Sequence, residues 1–299
     1  FGMALGKGGA DVMIKALTGY LTELGGEIHL DAEVQRIDRS PDRTTGVTLK
    51  DGRQFQATRA VIANALPQAV FGRLLDGGSG DAETDRRMKA FRPGPGTMMI
   101  HVACDGLPDW TAGDELKRFA YIHLAPSLDM MSRVYHEALA GFLPAEPVVV
   151  VGQPTAVDQS RAPEGKHILW LQVRVLPAEI RGDSKGTIAA TDWDQVKDAY
   201  ADRVLAILEA YAPGFGAKIL GRAVFSPLDL ERENPNLVGG DNLGGSHHLS
   251  QNFLFRPTPG WSRYKTPVQG LYLVGAATWP GAGVGAGSGF MLAKMLAGA

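Results

Sequence analysis

The sequence has little cysteine and no large excess of charge of either sign. Its single cysteine, Cys104, excludes an internal disulfide framework and a cysteine-rich metal cluster. The 30 basic and 32 acidic residues give a formal charge of −2, so the composition predicts no nucleic-acid partner. Hydrophobic residues make up 44% of the 299 positions, which excludes a disordered or collagen-like chain.

Motifs for nucleophilic or metal-dependent catalysis are also missing. No G-x-S-x-G elbow occurs, and Cys104 follows an apolar stretch typical of a buried thiol. The pair His247-His248 has no H-E-x-x-H or carboxylate cluster beside it, and neighbouring residues of a strand point to opposite faces. We therefore expect no metal site. Loop hydrogen bonding is the favoured role of these histidines, and acid–base work at a substrate pocket stays open.

Helix-breaking residues in the longest uncharged run, residues 266–293, exclude a membrane-spanning helix there. That run contains seven glycines and two prolines, Pro267 and Pro280. Such residues interrupt a helix, so we expect a buried strand followed by a buried helix. No charged-then-apolar signal segment opens the sequence, and a cytoplasmic location, with peripheral membrane contact left open, is the default expectation.

Glycine is abundant, with 38 residues, and several clusters stand out. Residues 281–289 carry glycine at alternate positions but never in the G-x-G-x-x-G spacing of a dinucleotide fingerprint. They follow a predicted strand, Gly270–Gly275, and lead into a predicted helix, Gly289–Leu296. Backbone without Cβ atoms can approach a flat ligand beside a helix N-terminus, or can let the helix pack tightly. The composition leaves both roles open.

The remaining pattern predicts an α/β protein. Near the start, a helix over Asp11–Leu24 precedes strands at Glu27–Leu30 and Glu33–Ile37, a hairpin over Gly46–Phe55 and a strand at Ala60–Ala63. The middle region has a mixed α+β texture, and its clearest helix is Asp192–Tyr211, with Thr191 as the predicted cap. Further predicted elements of this region are a helix at Asp81–Ala90 and strands at Thr97–Ala103, Phe119–Leu124, Val148–Val151 and His167–Val175.

Two stretches resemble the phytoene desaturase-like FAD-dependent oxidoreductases, a branch of the amine-oxidase-type flavoproteins. The first runs from Lys7-Gly8-Gly9 through Leu24-Gly25-Gly26-Glu27-Ile28 to Ala60-Val61-Ile62-Ala63-Asn64-Ala65. The second, more specific stretch runs from Phe253-Leu254-Phe255-Arg256-Pro257 to Gly275-Ala276-Ala277-Thr278-Trp279-Pro280-Gly281-Ala282-Gly283-Val284. Together they cover roughly 110 residues, and the middle of the chain is similar to the family only loosely.

The resemblance implies an incomplete FAD-binding domain of the Rossmann-like type with an inserted mixed α+β substrate domain. The implied division is residues 1–67 and 246–299 for FAD binding and 68–245 for the substrate. Because the family's fingerprint is absent, we expect the chain to be the C-terminal part of a longer flavoprotein, with roughly 200 residues upstream. On its own the chain is expected to hold FAD weakly or not at all and to be inactive.

The resemblance also assigns site residues. Val34 is implied at the adenine end of FAD, Asn64 and Ala65 near the diphosphate, and Gly275 and Ala276 along the ribityl and phosphate chain. The resemblance further implies that the turn places backbone N–H groups at the pyrimidine edge of the flavin ring. The residues of this turn are Pro280, Gly281, Gly283 and Val284. His247, His248 and Trp279 are candidates for the substrate pocket, and no catalytic residue or metal ligand is assigned.

The implied activity is oxidation of a small apolar or amphipathic substrate by hydride transfer to flavin. Two alternatives are kept. One is a flavin amine oxidase of the same architecture, in which Trp279 would lie at the flavin face. The other is a flavin-free binding or assembly module, which the missing fingerprint favours. The sequence leaves the oligomeric state, the electron acceptor and the substrate's identity open.

Overall fold

A computed structural model describes residues 4–283 and 286–298. The α-helices of this part are α1 (Asp11–Glu23), α2 (Pro67–Ala69), α3 (Ala82–Lys89), α4 (Leu128–Leu139), α5 (Trp193–Tyr211), α6 (Pro227–Glu233) and α7 (Gly287–Ala297). The strands are β1 (Val34–Arg39), β2 (Thr44–Leu49), β3 (Gln54–Gln56), β4 (Val61–Ala63), β5 (Gly96–Cys104), β6 (Tyr121–Leu124), β7 (Phe142–Leu143), β8 (Val149–Gly152), β9 (His167–Leu176), β10 (Gly182–Asp183), β11 (Ile219–Phe225) and β12 (Leu271–Leu273).

The chain divides into two compact units, each built from two segments. Unit 1 comprises Phe1–Ile28 and Pro95–Glu233, and unit 2 comprises His29–Gly94 and Asn234–Ala299. These structural boundaries lie away from the functional boundaries predicted at 67 and 245. The assignment of 1–67, 68–245 and 246–299 to cofactor and substrate stays a prediction.

Unit 1 is organised around a five-stranded antiparallel sheet in the order β11-β5-β9-β8-β6. The long central strands alternate: in β5, Met98, Ile100, Val102 and Cys104 are buried while His101 is exposed. This alternation gives the sheet one apolar face. Cys104 is fully buried, which confirms the prediction of a buried small hydrophobe, and this burial raises the pKa of its thiol.

Helix α5 contributes its apolar stripe to the core of unit 1. Val196, Tyr200, Val204 and Leu208 are fully buried, as the apolar spacing predicted, and Ile207 is partly buried. Tyr211, which was expected on the same stripe, is 37% exposed. The predicted cap Thr191 is wrong by one residue. The Asp192 carboxylate accepts the backbone N–H of Asp194 at 2.7 Å, a geometry that a carboxylate at this position reaches readily.

A buried amide joins three segments of unit 1. Gln153 is fully buried, and its Oε1 accepts the indole N–H of Trp110 at 3.0 Å. Its Nε2 donates to the carbonyls of Leu116 and Phe119 at 3.0 and 2.9 Å. The side-chain oxygen and both side-chain N–H groups of Gln153 therefore have hydrogen-bond partners.

Replacing this amide by an apolar side chain of similar size is expected to be costly. Gln153→Leu leaves the Trp110 N–H and the Phe119 carbonyl without their Gln153 partner, while the Leu116 carbonyl keeps its bond from the Phe119 N–H at 3.2 Å. We expect a loss of about 2–4 kcal/mol in the free energy of unfolding. Urea unfolding followed by tryptophan fluorescence measures it. Gln195→Leu, at an exposed position of α5 in the same unit, is the control and should lie within about 0.5 kcal/mol of wild type. Equal losses in both variants would contradict the role of Gln153.

Unit 2 contains a three-stranded antiparallel sheet, β1-β2-β3, and a parallel pair, β4 with β12. The predicted hairpin at Asp51-Gly52 is confirmed between β2 and β3. A buried cluster that includes Ile37, Phe71 and Leu271 draws residues from both sheets and from the segment after β4. The apolar residues of four short strands thereby share one core.

Two local predictions are wrong. Glu27–Leu30 forms no strand, because its residues have no ladder partner among those described. The helix after β12 is present, but its side chains are mostly exposed, with Ser288 and Leu292 buried and Phe290 59% exposed. Periodicity showed that this helix would form but could not show what covers its faces. None of the helices described has the length and apolarity needed to cross a bilayer.

Candidate functional site

The parallel pairing of β4 with β12 brings two predicted segments together. Leu271, Tyr272 and Leu273 lie opposite Val61, Ile62 and Ala63, and the Val274 N–H continues the ladder to the Ala63 carbonyl at 3.0 Å. Both strands therefore end at the same edge. Open α/β sheets bind ligands at the carboxyl ends of their strands. Asn64-Ala65 and Gly275-Ala276, predicted separately from distant parts of the sequence, follow those ends directly.

Gly275 is required at the end of β12 for two reasons. Its φ is +94°, a conformation that L side chains rarely adopt. An added Cβ would also overlap the side-chain oxygen of Asn64, so the two predicted segments are in close contact. The Gly275 N–H donates to the Ser288 hydroxyl at 2.9 Å, which ties the strand end to the first turn of α7.

The turn after Gly275 uses some of the backbone donors that were expected to face a ligand. Thr278 donates its hydroxyl to the Gly275 carbonyl at 2.8 Å, and the Gly281 N–H donates to the Thr278 carbonyl at 2.7 Å. Pro280 carries no N–H. The expectation that Pro280 and Gly281 supply N–H donors is therefore corrected. Gly283 is exposed with nothing within 4 Å of an added Cβ, and Val284 lies outside the described residues.

The two predicted histidines have different surroundings. The Cε1 atom of His247 lies 3.6 Å from the position of a Cβ built on Gly281, so this imidazole contacts the turn. Desolvation, and after it the charge of Arg256, lower the pKa of His247, while Asp241 acts in the opposite direction. His248 instead faces Ser250, with Nδ1 2.9 Å from the hydroxyl and 3.3 Å from the backbone N–H, and so stabilises its own loop.

An apolar cleft of about 630 Å³ adjoins the turn within unit 2. Trp279 and Phe253 line it with their ring centroids 5.4 Å apart at an interplanar angle of 36°. Its other lining residues are Leu254, Ser262, Arg263, Tyr264, Met291 and Met295. Trp279 therefore lines an apolar cavity, and its predicted role in a substrate pocket stays a prediction. Its partner Phe253 was not predicted.

Val34 lies in a different part of unit 2. It begins β1, pairs with Leu49 and packs against the buried cluster that contains Ile37. The structure places it in the three-stranded sheet and not in the parallel pair. Its predicted role at the adenine end of a cofactor stays a prediction.

Two buried charged residues were missed by the sequence reasoning. Arg256 is fully buried and Asp241 is 2% exposed, and both hydrogen-bond to backbone in the loop that carries His247. One signal was available: Arg256 stands in an apolar string, Phe253–Pro257, where a cation needs a specific partner. Nothing in the sequence marks Asp241, since its partners are backbone N–H groups.

The residues present fit one end of a flavin cofactor. The turn at Gly283 is open to close approach by a flat ring, and the adjoining cleft offers aromatic and apolar surface. The strand ends at Asn64 and Gly275 offer backbone that could contact the ribityl and phosphate chain attached to the flavin ring. The fingerprint that binds a diphosphate is absent from the sequence, so the fit is to part of the cofactor.

Comparisons with known proteins also indicate a flavin-dependent oxidoreductase. A profile of the family described as flavin containing amine oxidoreductase matches residues 2–97. Pyridine nucleotide-disulfide oxidoreductase domain-containing protein 2 of Rattus norvegicus is 32% identical over 288 residues, covering 93% of this chain and 48% of that protein. The neurosporene-forming phytoene desaturase of Rhodobacter capsulatus is 28% identical over 302 residues, covering 99% of this chain and 54% of that enzyme.

A solved structure, an oxidoreductase from Methanosarcina mazei, matches with a TM-score of 0.60 at 19% identity, covering 97% of this chain and 54% of that one. The fold is thus that of the FAD-dependent oxidoreductases, α/β with an inserted α+β part. The chain is similar to the phytoene desaturases and, over residues 2–97, to the flavin containing amine oxidoreductases. It spans about half the length of the curated relatives it matches.

Proposed function

We propose that the protein, at its full natural length, is an FAD-dependent oxidoreductase that oxidises a small apolar or amphipathic substrate. The observation that carries this proposal is the common edge of β4 and β12, where Asn64-Ala65 and Gly275-Ala276 lie side by side before an open turn. The similarity to a phytoene desaturase and to a flavin amine oxidoreductase profile supports the same class of reaction.

FAD, when bound, supplies the chemistry by accepting a hydride from the substrate. The residues of this chain would bind and orient the cofactor and the substrate. Gly275 and Ala276 would lie along the cofactor's linking chain, while Ala282 and Gly283 offer backbone at its ring edge. The cleft lined by Trp279, Phe253 and its neighbours offers apolar and aromatic surface, which favours an apolar substrate.

His247 is the imidazole that lies beside the turn, 3.6 Å from a Cβ built on Gly281. Desolvation, and after it the charge of Arg256, lower its pKa, which favours the neutral imidazole that can accept a proton. We propose it as a residue at the border of the substrate pocket. His248 is engaged by Ser250 and fits that role less well.

An amine oxidase is the second candidate function. Trp279 and Phe253 form an aromatic wall in the cleft, and the family profile that matches residues 2–97 is that of amine oxidoreductases. An amine substrate would place an aliphatic body against this wall. The two candidates share the cofactor and differ in the bond that is oxidised.

The visible absorption spectrum of the protein purified at its full natural length is the first test. We expect flavin bands that bleach on addition of dithionite. A protein that stays colourless after FAD is added would contradict the proposal and support a flavin-free binding module. The same spectrum of residues 1–299 alone tests the expectation that this chain holds FAD weakly.

Substrate class is decided by a second measurement on the flavin-loaded protein. Anaerobic bleaching by polyenes or lipids, without response to amines, would support oxidation of an apolar substrate. Bleaching by amines with peroxide release in air would support the second candidate. Trp279→Leu keeps the apolar character of the cleft wall but removes the aromatic ring, and it should weaken amine turnover more than polyene turnover.

A further inference from the structure

Arg256 is the largest fully buried side chain described in the protein. Its guanidinium makes five hydrogen bonds, all to backbone carbonyl oxygens. Nε and Nη2 donate to Ala276 at 2.9 and 2.8 Å, and Nη2 also donates to Gly244 at 2.7 Å. Nη1 donates to Ser246 at 3.0 Å and Gln251 at 3.3 Å. All five guanidinium N–H groups thus have partners, and the charge is stabilised by peptide dipoles.

A single peptide group links Arg256 to the buried Asp241. The Gly244 carbonyl accepts from Arg256, and the N–H of the same peptide, on Gly245, donates to the Asp241 carboxylate at 2.6 Å. The negative end of the peptide dipole therefore faces the cation and the positive end faces the anion. This arrangement requires glycine at 245, where φ is +117° and an added Cβ would overlap the ring of Phe91.

The same guanidinium fork joins two segments of the candidate site. The Ala276 carbonyl belongs to the turn that leads to Gly283, and the Gly244 and Ser246 carbonyls belong to the loop that carries His247. A Cβ built on Gly281 would lie 3.9 Å from Arg256 Nε and 3.6 Å from the His247 ring. The turn and the loop therefore have fixed positions relative to each other because one buried side chain holds both.

We propose that Arg256 is a positioning residue that holds the turn from Ala276 to Gly283 ready for the cofactor before it binds. The inference rests on the proposed function, since it takes flavin as the ligand. A fork of rigid geometry is needed, because four carbonyls from these two segments converge on one guanidinium. Lysine keeps the charge but cannot reproduce this geometry. Because folding already orders the turn, cofactor binding does not have to supply the free energy of ordering it, and the affinity for the cofactor is higher.

Hydrogen exchange of Arg256→Lys and Arg256→Met, in the protein at its full natural length, tests the protein side of this inference. Exchange should be about tenfold faster or more at the bonded amides of residues 243–251 and 276–281, and faster in the Met than in the Lys variant. Amides of β5 and β9 in unit 1 report that the variants are folded. Arg203→Lys, which removes a buried fork in unit 1, is the matched control and should leave both segments unchanged.

FAD titration of the same variants tests the cofactor side. We expect Arg256→Lys to raise the Kd for FAD about tenfold and to change the visible circular dichroism of the bound flavin, while Arg203→Lys changes neither. Unchanged exchange at 276–281 would overturn the inference, as would faster exchange with unchanged FAD affinity and spectrum. If wild-type protein binds no FAD, the proposed function fails and the cofactor side fails with it. The exchange result still decides whether Arg256 holds the turn.

Discussion

Asp183→Ala is expected to lower the free energy of unfolding by about 3–5 kcal/mol. Asp183 and Arg203 form a two-pronged ion pair in unit 1, with both N–O distances 2.7 Å and side-chain exposures of 1% and 6%. Removing the carboxylate leaves the guanidinium buried with only the Pro144 carbonyl and the Thr187 hydroxyl as partners. A cation without a counter-charge in such surroundings is poorly compensated. Urea unfolding at pH 7 measures the loss.

The control for this prediction is an ion pair of the same geometry at the surface. Asp194 and Arg232 also pair through two bonds, of 2.7 and 2.8 Å, but both side chains are about half exposed. Asp194→Ala should therefore have a far smaller effect, since water replaces the lost partner. The double variant Asp183→Ala/Arg203→Met should recover part of the stability, because it removes the buried charge as well. Equal losses at the two sites would show that burial is not the cause.

The same pair predicts a dependence on acid. Burial alone would raise the pKa of Asp183, but hydrogen bonds from Arg203 and from backbone N–H groups hold it below the ordinary value of 3.8. A carboxyl whose folded-state pKa is lowered stabilises the protein above its unfolded-state pKa and loses that contribution as the pH falls towards its folded-state pKa. The stability difference between wild type and Asp183→Ala should thus be full at pH 7 and shrink below about pH 4. A difference that grows on acidification would contradict this sign.

Gly275→Ala is expected to have the largest effect on cofactor binding. The substitution places a methyl group where the Asn64 side-chain oxygen lies, at a φ of +94°. The exposed Asn64 side chain must then turn away from Gly275, and the contact between the two strand ends is lost. We expect FAD affinity to fall about tenfold to hundredfold and the free energy of unfolding to fall by about 2–4 kcal/mol. Flavin absorbance of the purified variant and a titration with FAD measure the first effect, and urea unfolding measures the second.

Gly52→Ala separates strain from overlap. Gly52 has nearly the same φ, +90°, in the turn between β2 and β3, but nothing lies within 4 Å of an added Cβ. This variant should lose about 1–2 kcal/mol of stability, from backbone strain alone, and keep its FAD affinity. If Gly52→Ala also loses FAD, general destabilisation and not the position of Asn64 explains the result at Gly275.

Local elements were predictable because their signals lie within a few residues. Apolar spacing predicted α5, and the Asp51-Gly52 dipeptide predicted the turn between β2 and β3, as the structure confirms. The strand at Glu27–Leu30 failed because strand formation needs a partner elsewhere in the chain, which periodicity does not reveal. The prediction that α7 would be buried was wrong for a similar reason, because the residues that cover a helix face come from other parts of the chain.

The candidate site was predictable in its parts. Asn64-Ala65 and Gly275-Ala276 were chosen through a family resemblance, and the structure shows that they adjoin, although their roles towards a cofactor stay predictions. The donors expected at Pro280 and Gly281 were not available, because proline has no N–H and the Gly281 N–H closes a turn. Which backbone groups a turn consumes depends on its conformation, and composition alone does not specify it.

The sequence by itself indicated the resemblance to flavoproteins, the helices α1, α3 and α5, the turn between β2 and β3, and the glycine-rich segment that follows β12. Only the tertiary structure decided that β4 and β12 end side by side, that Phe253 faces Trp279, and that Arg256 and Asp241 are buried around one peptide. The reason is physical. Helix and turn signals act over a few residues, whereas the position of a buried charge depends on carbonyls and N–H groups that arrive from segments far apart in the chain.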